Sequence, residues 1–257
     1  MLPTVDPAKE VNKIEIFLQE VLKKTGFKKV VIGLSGGIDS STALALAVSA
    51  LGEKNVHVLL MPYKTHNTQG LQDAKDVIAF LQIPQTQVEI VSIDEAVDAI
   101  KRSLGVSEDD TVRLGNIMAR VRMITLFDRA KKLPALVLGT ENRSEYLLGY
   151  FTRFGDEASD IEPIQHLYKT RVYDLAKYLG LPPRIIKQAP TAGLWHGQTD
   201  EGELGFSYKE ADQVLHLYFD KHISVTDIVK KGHMNAERIV QYALRNIYKH
   251  EAPYLLD

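Results

Sequence analysis

The stretch from Val31 to Ser41, Val-Ile-Gly-Leu-Ser-Gly-Gly-Ile-Asp-Ser-Ser, constrains the fold more than any other part of the chain. The apolar, β-branched run at 29–34 is typical of a strand buried on both faces of a parallel sheet. Helix-forming residues follow from Ser40 and stop at Gly52. Between them, small residues let backbone N–H groups converge on one anion, and the first turn of the helix adds its own donors. The junction therefore predicts a binding site for the phosphates of a nucleotide.

Asp39 is unexpected in an anion-binding loop, because a lone carboxylate repels phosphate. Its presence suggests a divalent cation between the carboxylate and the phosphates. No Gly-Lys-Ser/Thr follows the glycines and no Gly-x-Gly-x-x-Gly pattern is present, so kinase and dehydrogenase sites lose their main support. The alternative is an ordinary turn in which Asp39 or Ser40 only caps the helix.

Strand-like and helical patterns alternate through the first part of the chain. Strands are predicted at Val30 to Leu34, Val56 to Met61, Val88 to Ile93 and Ala135 to Gly139, with helices between them at Ser40 to Leu51, Thr68 to Leu81 and Asn116 to Lys132. This alternation predicts an α/β fold, a doubly wound parallel sheet with helices on both faces. Ligands of such sheets bind beyond the carboxyl ends of the strands, where the loops at 35–40, 62–69 and 140–145 would meet.

We expect a single domain over residues 1–257 with three parts. These are an N-terminal helix within 1–26, with its helical pattern at Val11 to Lys24, a nucleotide-binding core at 27–165 and a mainly helical extension at 166–257. Helical patterns in the extension cover Lys169 to Leu179, Tyr208 to Phe219 and Ala236 to Tyr248. The long, charged segment at 188–205 predicts a mobile loop that closes over a ligand.

Composition narrows the class of protein. Of the 257 residues 45% are hydrophobic and 25% charged, and no segment approaches 18 consecutive apolar residues, which predicts a globular protein rather than a membrane protein. A net charge of -2 indicates no general attraction to nucleic acid, and the N-terminus lacks the apolar core of a signal peptide, so we expect a cytoplasmic protein with a small-molecule substrate. The absence of cysteine excludes every mechanism that needs a protein thiolate.

Five segments together carry a resemblance to a known family. The Ser-Gly-Gly-Ile-Asp-Ser loop is similar to the pyrophosphate loop of the ATP pyrophosphatase superfamily, whose members activate a carboxylate or carbonyl as an adenylate. The segments at 115–123, 138–156, 189–194 and 198–208 resemble, in order, the successive motifs of the bacterial ammonia-dependent NAD synthetase family. The similarity runs from about Phe27 to Lys249. It implies an adenine nucleotide alpha hydrolase-like fold with a helical C-terminal extension.

The resemblance also implies a reaction. Deamido-NAD would attack the α-phosphate of ATP with its nicotinate carboxylate, releasing pyrophosphate, and ammonia would then displace AMP from the acyl-adenylate to give NAD. Substrate and ammonia supply both nucleophiles, so the protein needs only to position them and stabilise charge. ATP is thus an implied co-substrate and Mg²⁺ an implied cofactor. Family members are homodimers with the dinucleotide site at the subunit interface, and the same is expected here.

Carried over by position, the resemblance implies an ATP site made of the glycine-rich cradle and residues from later loops. These residues are Gly33, Leu34, Ser35, Gly36, Gly37, Ile38, Asp39, Ser40, Gln69, Thr140, Lys169 and Thr191. Asp39 and Glu145 match magnesium ligands, and Asp39 and Lys169 are the implied catalytic residues, with Lys169 neutralising charge at the α-phosphate. Without the resemblance, Glu145 would be an ordinary solvated or helix-start acid and Lys169 one of many surface lysines.

The implied deamido-NAD site has three cations and one acid, which are Arg120, Arg153, Asp160 and Lys249. The alternative for Arg120 is a surface ion pair, worth at most about 1 kcal/mol. Two positions depart from the family pattern. Arg153 stands where lysine is usual, and Gly193 stands where aspartate is common. Trp195, in the same loop as Gly193, could contact a ligand or a partner subunit, or simply anchor the loop.

Two other functions stay open at this point. One is an amide ligase of the same superfamily that acts on another nucleotide-linked or tRNA substrate. The other is a non-catalytic sensor that binds ATP without turnover, which the presence of both Asp39 and Glu145 disfavours. The missing cysteine argues against a built-in glutaminase and favours free ammonia as the nitrogen source, although a separate glutaminase partner stays open.

Overall fold

The computed structural model describes residues 2–65, 67–195, 197–251 and 254, and its centre is a parallel four-stranded sheet. The strands are β1 (Val30–Gly33), β2 (Val56–Leu60), β3 (Val88–Ile90) and β4 (Leu136–Leu138). Their order across the sheet is β3-β2-β1-β4, and all neighbours run parallel. The predicted doubly wound α/β fold is confirmed.

Helices cover both faces of the sheet and make up the C-terminal region. They are α1 (Pro7–Thr25), α2 (Ile38–Leu51), α3 (Thr68–Phe80), α4 (Asp94–Ser103), α5 (Thr111–Lys132), α6 (Arg143–Leu148), α7 (Lys169–Tyr178), α8 (Pro183–Lys187), α9 (Asp200–Leu204), α10 (Tyr208–Leu215), α11 (Val225–Lys230) and α12 (Ala236–Asn246). A π-helical turn at His216–Asp220 follows α10, and short 3-10 segments lie at Glu53–Asn55, Gln85–Gln87 and Ile247–Lys249. The described residues include no helix that is long and apolar enough to cross a membrane.

The strand predictions located every strand but extended each too far. The prediction to Ile93 overran β3 by three residues, because only 88–90 pair with 58–60 of β2. Five helices that flank or follow the core, α4, α6, α8, α9 and α11, had not been predicted, and the loop predicted at 188–205 contains α9. Apart from the ten-residue α4, these helices have only five or six residues, and so short a run shows little periodicity in sequence.

The described residues form four hydrophobic clusters, and the two largest organise the fold. The larger packs on one face of the sheet and takes in α1, α2 and α3, together with Val172 and Leu175 of α7 and Ile185 of α8. The second lies within the C-terminal helices and includes Leu148 of α6 and Val214 of α10. Since α7 packs into the sheet core and α6 into the helical cluster, the two helices that follow β4 lie at the junction of both. The proposed domain boundary near residue 165 stays a prediction.

Candidate active site

The glycine-rich loop joins β1 directly to α2, as predicted. Gly36 has a left-handed backbone with φ +84°, and a Cβ atom there would overlap the carbonyl oxygen of Gly70 in α3. Gly37 is the N-cap of α2 and provides no side-chain cap, so the first turn keeps its orphan N–H groups. The alternative in which Asp39 or Ser40 caps the helix is therefore wrong. The loop is built for close backbone approach and for an anion.

Three charged side chains from separate elements meet beside this loop. The ammonium of Lys169 lies 2.5 Å from Asp39 Oδ2 and 2.8 Å from Glu145 Oε1, and the Lys169 side chain is only 2% exposed. Asp39 is in the first turn of α2, Glu145 in the first turn of α6, and Lys169 begins α7. Lys169 is thus a buried cation bound between two carboxylates, and the interpretation of it as a solvated surface lysine is wrong.

Asn142 fixes both carboxylates. Its side-chain amide donates to Asp39 Oδ1 at 2.9 Å, and its side-chain oxygen accepts the backbone N–H of Glu145 at 3.0 Å. A capping box forms because Glu145 also accepts, at 3.5 Å, the backbone N–H of Asn142. Glu145 is therefore a helix-start acid as well as a member of the charged cluster.

Burial and charge oppose each other in this cluster. Burial lowers the pKa of Lys169, but the negative charges of Asp39 and Glu145 outweigh burial and hold this pKa well above its usual value. Burial raises the pKa of Glu145, and the charge of Lys169 opposes that rise. Burial also raises the pKa of nearby Asp200, again against the charge of Lys169. Lys169 therefore stays an ammonium ion, and the cluster carries a surplus of carboxylates.

A cavity of about 510 Å³ opens onto the cluster at the carboxyl ends of the strands. Most of the predicted site residues line it. These are Gly33, Leu34, Ser35, Gly37, Ile38, Asp39, Ser40, Thr140, Glu145, Lys169, Thr191 and Lys249. Residues from the loops after β1, β2 and β4 share this wall, as expected for a parallel sheet.

Five predicted residues are not in the wall formed by the described residues, namely Gly36, Gln69, Arg120, Arg153 and Asp160. Gln69 donates to Asp73 at 2.9 Å, and Asp160 accepts the backbone N–H of Val137 at 2.8 Å. Their roles, like those of the residues in the wall, stay predictions.

The two arginines of this group lie together at the surface. Arg120 donates to the carbonyl oxygen of Arg153 at 3.1 Å. Arg153 in turn donates to the carbonyl of Glu251 at 2.5 Å, and its guanidinium lies 4.9 Å from the ring centre of Phe154. These contacts bring the two cations to one side of the protein, outside the cavity described above.

Arg122 is a cavity residue that the sequence analysis missed. It lies on α5 with Met118 and Leu126, and all three line the cavity. Its Nε donates to the carbonyl of Met61 at 3.2 Å. Burial lowers the pKa of Arg122, while the charge of Asp156 opposes this. A spacing of four residues places 118, 122 and 126 on one helix face, and that phase could have distinguished Arg122 from Arg120.

Residues 188–195, together with Gln198, Asp200 and Glu203, line the cavity. Gly193 has φ +63°, and a Cβ atom at this position would lie 2.6 Å from the side-chain nitrogen of Asn67. A side chain such as aspartate at this position would therefore be strained and crowded by Asn67. Trp195 lines the cavity. Asp200 accepts hydrogen bonds from the hydroxyls of Tyr150 and Tyr208 at 3.3 and 3.2 Å.

The sequence is similar to that of known proteins over most of its length. The family model described as NAD synthase matches residues 10–253. The chain is 43% identical to the NH(3)-dependent NAD(+) synthetase of Fusobacterium nucleatum over 96% of its own length and 95% of the relative. It is 47% identical to the protein of the same name from Thermococcus kodakarensis, covering 89% and 88% of the two chains.

Two solved structures are also similar to this chain. The NH3-dependent NAD synthetase from Campylobacter jejuni, in complex with nitrate, matches with a TM-score of 0.82 and 34% identity, over 99% of this chain and 100% of that one. The NMN synthetase from Francisella tularensis matches with a TM-score of 0.84 and 34% identity over the same shares. With a matching family model over most of its length and relatives above 40% identity, the chain belongs to the NAD synthase family.

Proposed function

We propose that the chain catalyses the ATP-dependent amidation of deamido-NAD with ammonia, giving NAD, AMP and pyrophosphate. The observation that carries the proposal is the buried Lys169, held by Asp39 and Glu145 beside the glycine-rich loop. An ammonium at this place can neutralise charge as the nicotinate carboxylate attacks the α-phosphate and pyrophosphate leaves. Ammonia then attacks the acyl carbon and AMP departs.

Magnesium fits the donors of this site. Asp39 and Glu145 present hard carboxylate oxygens from the first turns of two helices, close enough for one ammonium to contact both. No group of three or more His, Cys, Asp or Glu side chains in the described residues could hold a metal alone. We propose that Asp39 and Glu145 hold Mg²⁺ together with phosphate and water, and that the ion supplies charge neutralisation for the phosphates.

The other residue roles are proposed from position. The cradle from Gly33 to Ser40, with Thr140 and Thr191, would bind ATP, and Lys249 would bind deamido-NAD inside the cavity. Arg120, Arg153 and Asp160 would bind deamido-NAD where it leaves the cavity, and Gln69 would support the ATP site through α3. With no cysteine in the 257 residues, thiolate chemistry for releasing ammonia from glutamine is absent, so free ammonia is the proposed nitrogen source.

A homodimer is proposed from an exposed apolar row. On α5, Val112 is 62%, Ile124 58% and Phe127 36% exposed, and nearby Phe154 is 54% exposed. Exposed apolar groups of this size at one helix face are typical of an interface. Sedimentation or light scattering should give twice the 28.8 kDa chain mass. A cytoplasmic location is proposed from the biosynthetic character of the family.

A direct assay tests the function. Purified chain is incubated with ATP, magnesium, ammonium and deamido-NAD, and NAD and AMP are measured. Formation of both supports the proposal, absence of AMP contradicts a ligase and favours the ATP sensor, and AMP without NAD indicates another acceptor. Because one structural relative is called NMN synthetase, nicotinate mononucleotide is compared as acceptor. A higher kcat/KM for the mononucleotide would overturn the substrate assignment while leaving the chemistry intact.

A further inference from the structure

We propose that Asp212, on α10, is a positioning residue that sets Glu145 and Lys169 at the reacting centre. The inference rests on the proposed function, since it concerns how that site is held. Asp212 is 0% exposed and does not line the cavity among its described residues. It therefore acts through other residues and does not touch substrate.

The carboxylate of Asp212 binds the neighbours of both charged side chains. Ser144 donates its hydroxyl to Asp212 Oδ1 at 2.5 Å. Thr170 donates to Asp212 Oδ2 twice, from its backbone N–H at 2.9 Å and its hydroxyl at 2.7 Å. Ser144 directly precedes Glu145, and Thr170 directly follows Lys169. One carboxylate thus fixes both short segments relative to a third helix.

The start of α7 depends on this arrangement. Its N-cap residue, Tyr168, makes no side-chain capping bond. The first N–H of the helix, from Lys169, donates instead to Ser144 Oγ at 2.8 Å, and the next, from Thr170, donates to Asp212. A carboxylate at a helix N-terminus is also favoured by the helix dipole. The helix that carries Lys169 is therefore capped by residues from α6 and α10.

Ser144 makes the connection continuous. It accepts the backbone N–H of Lys169 and donates its own proton to Asp212, so α6, α7 and α10 share one buried chain of hydrogen bonds. Ser144 is 0% exposed, which keeps water from replacing its partners. Displacement of a positioned group by about 1 Å can cost about 100-fold in rate. The network is therefore able to affect turnover without contacting ligand.

The main test is Asp212→Asn, which keeps the side-chain volume but replaces one acceptor oxygen by a donor. The matched control is Val214→Ala, on the same helix, where the native side chain is fully buried and apolar. Both are assayed well below their unfolding temperatures. For Asp212→Asn we expect kcat to fall by about 10- to 100-fold with the KM for deamido-NAD within about threefold, because the groups proposed to bind deamido-NAD remain in place. Val214→Ala should keep kcat within about twofold.

A double variant tests the route of the effect. If Asp212 acts through Ser144, then Asp212→Asn combined with Ser144→Ala should lower kcat by no more than about threefold beyond the stronger single variant. If the losses of kcat in the two single variants multiply in the double variant, Asp212 and Ser144 act independently and the inference is overturned. So would an Asp212→Asn enzyme with kcat within about twofold of wild type, or a Val214→Ala enzyme that loses as much.

Two further measurements keep the test decisive. If Asp212→Asn does not fold, Thr170→Val is compared with Thr170→Ser. The inference requires that Thr170→Val loses kcat, because its hydroxyl is gone, and that Thr170→Ser keeps kcat, because its hydroxyl remains. If wild type makes no NAD, the proposed function fails, and the crystal structure of Asp212→Asn still tests positioning. A Lys169 to Glu145 separation beyond the ion-pair limit of about 4 Å would support it, and an unchanged pair would overturn it.

Discussion

Lys169 Nζ lies 2.5 Å from Asp39 Oδ2, although the two residues are 130 positions apart in the chain. This ion pair joins the start of α7 to the first turn of α2, directly after the phosphate loop. With Glu145 on its other side, Lys169 offsets two carboxylates that would otherwise face each other in a largely buried place. The pair is therefore part of the fold as well as of the site.

Lys169→Met should lower both stability and activity. Removing one partner of a buried ion pair leaves an uncompensated charge, at a cost of about 3–5 kcal/mol. Urea unfolding at pH 7 measures the loss, and kcat should fall at least about 100-fold. Lys169→Arg, which keeps a cation, is the control and should recover part of the stability. Wild-type stability in the Met variant would contradict the role of the pair.

Asp39→Asn should abolish adenylation and leave the fold intact. The change removes one charge of the proposed metal site with little change of volume, and Asn142 can still donate to the remaining side-chain oxygen. AMP formation should fall by at least about 100-fold, while circular dichroism stays as in wild type. Turnover within about threefold of wild type would show that the metal assignment is wrong.

Gly36→Ala should destabilise the protein and weaken ATP binding. The left-handed backbone costs about 1–2 kcal/mol for a residue with a Cβ, and the new methyl group would overlap the backbone of Gly70. Gly37→Ala is the matched control, because Gly37 has φ -76° and its nearest neighbour to an added Cβ is Ser35 Oγ at 3.3 Å. Denaturant unfolding and ATP titration should separate the two variants, and equal behaviour would contradict the close-approach argument.

Glu141→Gln should change how stability depends on pH. Burial, with the charge of Glu162 adding to it and a hydrogen bond from Gln165 opposing it, raises the pKa of Glu141 to about 9. Because this folded-state value lies above the unfolded one, the stabilisation is complete below about pH 4 and is lost as pH rises through about 9. The Gln variant cannot ionise, so its Tm should exceed that of wild type at pH 9 by a few degrees more than at pH 5. An identical difference at both pH values would contradict the prediction.

Lys249→Ala should mainly weaken the binding of deamido-NAD. Lys249 Nζ donates to the carbonyls of Gly149 and Phe151 at 2.6 and 2.8 Å, which holds its charge at the cavity wall. Losing a charged hydrogen-bond donor should raise the KM for deamido-NAD by about tenfold, with kcat little changed. Steady-state kinetics with each substrate varied in turn measures the split. A pure loss of ATP affinity would contradict the assignment.

Local sequence patterns were enough to predict the sheet and the phosphate loop. Gly36 and Gly37 between an apolar strand and a helix define the loop by short-range chemistry, and the alternation of strands and helices defines the topology. Neither signal could show why Gly36 must be glycine, since the carbonyl that approaches it belongs to Gly70 in the next crossover helix.

The rest of the site depends on tertiary structure. Lys169 looks like any other lysine until α7 is packed beside α2, and Asp212 has no motif that marks it as the cap of another helix. Arg122 is the exception, because the sequence itself shows that Arg122 lies four residues after Met118 and so on the same face of a helix. What sequence could not supply was the set of contacts between elements that are far apart along the chain.

The strand order has a consequence for how the site comes into being. β4 lies beside β1, on the side opposite β2, although more than a hundred residues separate the two neighbours. A chain emerging during synthesis therefore carries the whole phosphate loop long before Glu145 and Lys169 exist to complete it. In such a nascent chain Asp39 has no cationic partner, and its charge is unfavourable beside a phosphate site. Only when β4 and α7 have been synthesised and packed does Lys169 pair with Asp39 and complete the site.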